Sequence, residues 1–129
     1  SVNILNAYIV NIGIEFEIIT LNNYNKREVV LRCIELLKRY FSTERWQINQ
    51  PIIKTDINYQ LSLVEGVQNV SMLRVYNKTG GDYSIYKYDI NTAEPLNDDG
   101  EKGGIIYPSV DPMIFEVKFP NTDIEGRAR

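Results

Sequence analysis

The sequence predicts an α+β domain: a two-layer sandwich with a β-α-α-β core, a mixed or antiparallel sheet and an additional β-hairpin arm. Three observations point there. A long stretch near the start alternates apolar and polar residues with period two. A helix with one apolar stripe follows it. A second, shorter helix then ends at a glycine that leads directly into another strand.

From Ala7 to Leu21, Tyr8, Val10, Ile12, Ile14, Phe16 and Ile18 fall on one face, and Asn11, Gly13, Glu15 and Glu17 fall on the other. Period two over this length is a strand with one buried side. Gly13 is a candidate bend or bulge on the open side. "NNYN" supplies a turn, and Asn25 with Glu28 has capping-box spacing. Val30, Cys33, Ile34, Leu37 and Phe41 then recur at helical spacing, with Arg27, Arg32, Glu35, Lys38 and Arg39 largely outside the stripe, which predicts a helix over 26–41. "RWQINQPI" is extended, because the residue before Pro51 is pushed away from helical angles. Thr55 is a candidate N-cap for a second helix, with Ile57, Leu61 and Val64 facing inward. Gly66 is the expected left-handed C-cap, and Val67 leads on to a strand over Val70–Tyr76.

The second half reads differently. "NKTGGDYS" and "NTAEPLNDDGEKGG" are turn-rich and flank "YSIYKYDI", in which Tyr86, Tyr88 and Ile90 share a face. Residues 78–107 therefore read as a protruding β-hairpin or loop insertion. Met113, Phe115, Val117 and Phe119 alternate with Ile114, Glu116 and Lys118, a second half-buried strand bracketed by Pro108, Pro112 and Pro120. No internal repeat or low-complexity tract interrupts the single domain over 1–129.

Composition bounds the function. Hydrophobic residues at 43 % and aromatics at 11 % are those of a folded chain. The net charge of −3 offers no basic field for nucleic acid or anionic lipid. The apolar runs are too short and broken to cross a membrane, and no signal-peptide pattern is present. Cys33 is the lone cysteine, so no intrachain disulfide forms. The chain starts Ser-Val-Asn without an initiator Met, which predicts a fragment of a longer polypeptide. Ile124-Glu125-Gly126-Arg127 matches a protease site used in expression vectors, and the competing reading is that "FPNTDIEG" runs natively into it.

The chemistry-bearing residue types are sparse. With no histidine, the Ser-His-Asp and Cys-His systems are excluded, and with one cysteine so is an ordinary zinc site. "NDDGE" (97–101) fails the EF-hand pattern, since aligning Gly100 with its glycine puts Pro95 and Ile106 at ligand positions. Gly80-Gly81 and Gly103-Gly104 lack the phosphate-loop spacing and read as turns. Glu15 and Glu17 share a strand face, where a solvated charged surface is the simpler reading than acid–base chemistry. Trp46 reads as a core or lid residue. Tyr76, Tyr83, Tyr86, Tyr88 and Tyr107 cluster in the second half amid more acids than bases, which disfavours base stacking and leaves packing or a protein–protein interface.

"TDINYQLSLVEGVQNVSMLRV" resembles a stretch near the C-terminus of the baseplate J-like family of contractile-tailed bacteriophages, where a short helix ends in a "GV" dipeptide that leads into a strand. Thr55, Ile57, Leu61, Val64, Gly66, Val67 and Val70 match in order. "YIVNIGIEFEII" and "VVLRCIELLKRYF" are similar to the family's preceding strand and amphipathic helix, and "IIYPSVDPMIFEVKFPNTDIEG" looks like the wedge proteins of T-even-type baseplates. Residues 78–104 depart from the pattern as an insertion. The resemblance implies a structural virion component of the tail baseplate wedge, assembled in the host bacterial cytoplasm, with no catalytic residue and no cofactor. Its expected partners are further copies of itself and other baseplate wedge proteins, which join wedges into a ring around the tail hub. The tyrosine face of Tyr83, Tyr86 and Tyr88 is the expected contact, and Thr55, Gly66 and Val67 form the structural corner. Two other classes compete: a small-molecule or peptide-binding regulatory module, recognisable by a concave apolar pocket, and an enzyme built on Glu15, Glu17 or Glu65.

Overall fold

The computed structural model describes residues 7–129. In chain order the elements are β1 (Tyr8–Thr20), α1 (Lys26–Tyr40), β2 (Ile52–Ile53), α2 (Lys54–Ser62), β3 (Val67–Asn77), α3 (Ile90–Ala93), β4 (Ile105–Ile106), β5 (Met113–Glu116), α4 (Pro120–Asp123) and β6 (Ile124–Ala128). The domain is α+β, with a mixed sheet.

β1 runs through the middle of that sheet. β3 pairs antiparallel along one side of it, from Ile12↔Asn77 to Thr20↔Val67. On the other side β5 pairs parallel with Tyr8–Asn11, and β6 pairs parallel with Ile14–Ile18. The last two strands thus share one edge of β1, separated by 117–123. The register against β3 slips by one residue between Glu17 and Ile18 and again between Ile19 and Thr20, bulges that sharpen the local twist. Val10, Ile12, Ile14, Phe16 and Ile18 are all buried, as the alternation predicts.

α1 packs on β6 and α2 on β3, and the two helices touch each other, so both cover the same sheet face. Asn25 caps α1, its side chain accepting a hydrogen bond from the Glu28 N–H at 3.1 Å. The core residues of α1 are Val29, Cys33 and Leu37, with Phe41 just beyond its end. Val29 takes the position expected for Val30, which is only half-buried. Burying side chains such as Phe16, Ile14 and Leu37 stabilises the fold by roughly 1.5–3 kcal/mol each.

Two expectations at the corner are corrected. Ile53, with no side-chain cap, is the N-cap of α2, and Thr55 lies inside the first turn. Thr55 packs its methyl group toward Gly104 instead: a Cβ built on Gly104 would lie 2.9 Å from Thr55 Cγ2. Gly66 is left-handed, with φ +96°, but it is not the helix cap. α2 is capped at Leu63. Gly66 sits at the third position of the following turn, closed by Val67 N–H to Val64 C=O at 3.1 Å. Side chains of Val29 and Tyr24 fill the space where a Cβ on Gly66 would stand.

Of the two forms expected over 78–107, a β-hairpin or a loop insertion, the hairpin does not form and the segment is mostly irregular. "YSIYKYDI" contains no strand; it runs extended into the one-turn helix α3. The only strand of the segment, β4, pairs antiparallel with β2. The reason is side-chain anchoring. Ser84 N–H donates to Asn11 Oδ1 at 2.7 Å, Tyr88 N–H donates to Asn77 Oδ1 at 3.0 Å, and Ile90 is buried in the core. Backbone groups that a hairpin would pair with each other are spent on the body of the domain. The last expected strand is also shorter than its alternation suggested, with Met113, Phe115 and Val117 buried but Phe119 at 39 % exposure.

The closing segment belongs to the sheet. Ile124 is buried, and Gly126 lies under Phe16, whose ring occupies the space of any Cβ at that position.

Candidate functional site

Of the three tyrosines expected to form one contact face, Tyr86 and Tyr88 line one concavity, while Tyr83 is held apart by its own partners. Tyr83 donates its hydroxyl to Asp123 Oδ1 at 2.6 Å and meets Phe119 edge-on at 5.5 Å between ring centroids. Tyr86, 44 % exposed, meets Tyr8 edge-on at 4.7 Å. Tyr88 packs edge-on against Phe115 at 5.7 Å and donates its hydroxyl to the Tyr107 carbonyl at 2.6 Å. Burial raises the Tyr88 phenol pKa above its ordinary value.

Asp123 is the centre of the most constrained cluster. Its side chain is 0 % exposed, and Lys78 lies 3.0 Å away, itself 3.3 Å from the Tyr83 hydroxyl. The Phe119 N–H donates to the other carboxylate oxygen at 3.1 Å. Burial opposes the Asp123 anion, but hydrogen bonds from Tyr83, Lys78 and Phe119 outweigh it and hold the carboxyl below its usual range. The same contact raises the Lys78 ammonium pKa, through its hydrogen bond to Asp123, and raises that of the Tyr83 phenol. All donors and acceptors in the cluster face one another, so the arrangement is a latch that binds 78–83 to the α4–β6 junction.

A second buried carboxylate does similar work. Glu94 pairs with Lys54 at 3.2 Å and accepts from the Gly104 N–H at 3.0 Å, and the Lys54 N–H donates to the Gly104 carbonyl at 2.6 Å. This ties the start of α2 to the 94–104 loop. Within that loop Asn97 Oδ1 accepts from the Asp99 and Glu101 N–H groups at 3.0 and 3.1 Å, which organises "NDDGE" as a turn. Neither carboxylate cluster has a local signature in the sequence, since each joins distant residues.

Glu15, Glu17 and Glu65 do not converge. Glu15 pairs with Arg74 at 3.9 Å. Glu17 accepts from Arg127 at 2.6 Å and Ser71 at 2.8 Å and lies 3.4 Å from Arg129. The Arg127 hydrogen bond, followed by that of Ser71, lowers the Glu17 pKa. Glu65 is exposed in the turn before β3, where its carbonyl accepts from Arg32 at 3.3 Å. On this sheet face Tyr76 covers Gly13, and Arg74 lies 4.9 Å from its ring centroid. Trp46 is buried against Phe41 and Tyr40, with ring centroids 5.0 and 5.6 Å apart.

Two of the surface concavities involve residues singled out above or the flank of α1. One, of about 320 Å³, is lined by Tyr8, Tyr86, Lys87, Tyr88, Asp111 and Met113, among others. The other, of about 420 Å³, runs along the flank of α1 beside the turn that follows α2 and is lined by Leu31, Arg32, Glu35, Leu36, Arg39 and Val64. Leu31 is 51 % exposed there. Its position outside the apolar stripe is visible in the sequence and is the one signal that could have singled out this face. No family model matches the chain, and no curated protein matches it.

Proposed function

We propose that this chain is a structural domain of a contractile-phage tail baseplate wedge, acting in the virion through self-association and through contacts with neighbouring wedge proteins. The observation that carries the reading is the ordered residue pattern from Thr55 to Val70, followed by the 105–126 stretch, both resembling baseplate proteins. The anchoring chemistry supports it. Asp123, Glu94 and Glu17 are each engaged in ion pairs that brace one segment against another, as a load-transmitting part requires. Peptides of this chain are expected in purified virions of the phage that encodes it, at a stoichiometry matching tail proteins. Their absence from the particle overturns the reading.

The cleft beside Tyr8 and Tyr86 supports a second reading, a module that takes a small molecule or peptide. It predicts ligand-induced thermal stabilisation that is lost in Tyr86→Ala.

A further inference from the structure

We infer that this flank of α1 is a self-docking surface that receives α1 of a second copy of this chain in antiparallel orientation. The inference deepens the proposed function and rests on it for the role of the contact; its geometry comes from α1 alone.

Beside the buried stripe of Val29, Cys33 and Leu37, on the flank toward Val64, α1 presents Glu28, Leu31, Arg32, Glu35, Leu36 and Arg39. At 3.6 residues per turn these six fall within an arc of about 140°. All but the half-buried Leu36 are exposed. Their order is a chemical palindrome. Glu28 and Arg39, Leu31 and Leu36, and Arg32 and Glu35 all share one midpoint, between Cys33 and Ile34.

A two-fold axis through that midpoint sets each Glu28 alongside Arg39 of the other copy and each Arg32 alongside Glu35. It sets each Leu31 level with the other copy's Leu36 across the seam. Parallel docking in register would instead stack Glu28 on Glu28 and Arg32 on Arg32, a like-charge arrangement that excludes it. An isologous contact of this kind closes on itself and leaves no open end. The groove lies between the two leucines, so apolar side chains flank the ion pairs. Among the described residues Arg39 forms no ion pair, Arg32 and Glu28 are a loose 3.9 Å apart, and Glu35 holds an exposed pair with Lys38 at 3.2 Å that docking exchanges for one with Arg32 of the other copy. A helix of 15 residues spans only about 22 Å, so the contact belongs to the small, weak class and is sensitive to salt.

Sedimentation velocity over a concentration series tests this with two charge variants, each checked for retained helicity and thermal midpoint. The acidic face is Arg32→Glu with Arg39→Glu; the basic face is Glu28→Arg with Glu35→Arg. Wild type is expected to associate reversibly and less so at high salt. Each variant alone is expected to sediment as a monomer, and the two mixed are expected to associate again. Monomeric wild type at every concentration overturns both the inference and the self-association in the proposed function. Association of the separate variants equal to wild type overturns this face and leaves self-association standing through another. Monomeric variants that stay monomeric when mixed overturn the charge complementarity.

Discussion

Asp123 has no access to water, yet three donors keep it ionised. Removing its charge strands the Lys78 ammonium, which retains partial solvent contact. Asp123→Asn is therefore expected to cost about 2–3 kcal/mol, the lower part of the range for a broken buried pair, read from urea unfolding. Tyr83→Phe leaves the carboxylate one donor short and is expected to cost about 1–2 kcal/mol. Tyr86→Ala, at a half-exposed contact, is expected to cost less than about 1 kcal/mol. That contrast separates a strut from a surface residue. The sequence could not make the distinction: Tyr83, Tyr86 and Tyr88 share one short aromatic stretch, and what divides them is a partner 40 residues away for Tyr83 and a nearer one for Tyr88.

At the scale of elements, legibility followed the length of the periodic signal. β1 and α1 span 13 and 15 residues, long enough for the buried face to repeat several times, and both form nearly where expected. The Asn25 cap was readable because its partner lies three residues on. Asn25→Ala is expected to cost about 1 kcal/mol, whereas Thr55→Ala, at a position that caps nothing, is expected to stay within about 0.5 kcal/mol. Thr55 misled because a Thr before an apolar-periodic run looks the same whether the helix starts after it or one residue before it. "YSIYKYDI" misled for a related reason, since three residues on one face do not distinguish a paired strand from an extended segment anchored by its side chains. β6 could not be read as a strand at all, because its partner is the distant β1 and its glycine is explained only by the ring of Phe16. Gly126→Ala is expected to destabilise by about 1–3 kcal/mol through overpacking against that ring.

For the whole molecule, the pKa directions define how stability varies with pH. Glu17, Asp89 and Asp123 all lie below their ordinary values in the fold. The unfolded chain therefore binds more protons than the native one near the carboxylate range. The stability these groups contribute is complete only above about pH 5, clear of their unfolded values, and is lost as pH falls from there toward their native values. Asp123→Asn is expected to flatten part of this acid limb in urea midpoints measured against pH. Cys33 sets the opposite limb: burial pushes its thiol up to about 11, so stability is present below its ordinary pKa and is lost as pH rises through the native value. The sheet edge beside Glu17 is completed by the five residues of β6, and those residues include Ile124-Glu125-Gly126-Arg127. A protease that cuts after this sequence must draw it as a free extended strand, but here it is hydrogen-bonded along β1 with Arg127 held by Glu17. Cleavage must wait for the strand to detach, so the rate of cutting is a clock for opening of the sheet edge. Native protein should resist, and Asp123→Asn, which loosens the α4–β6 junction without touching the recognised residues, should run the clock faster.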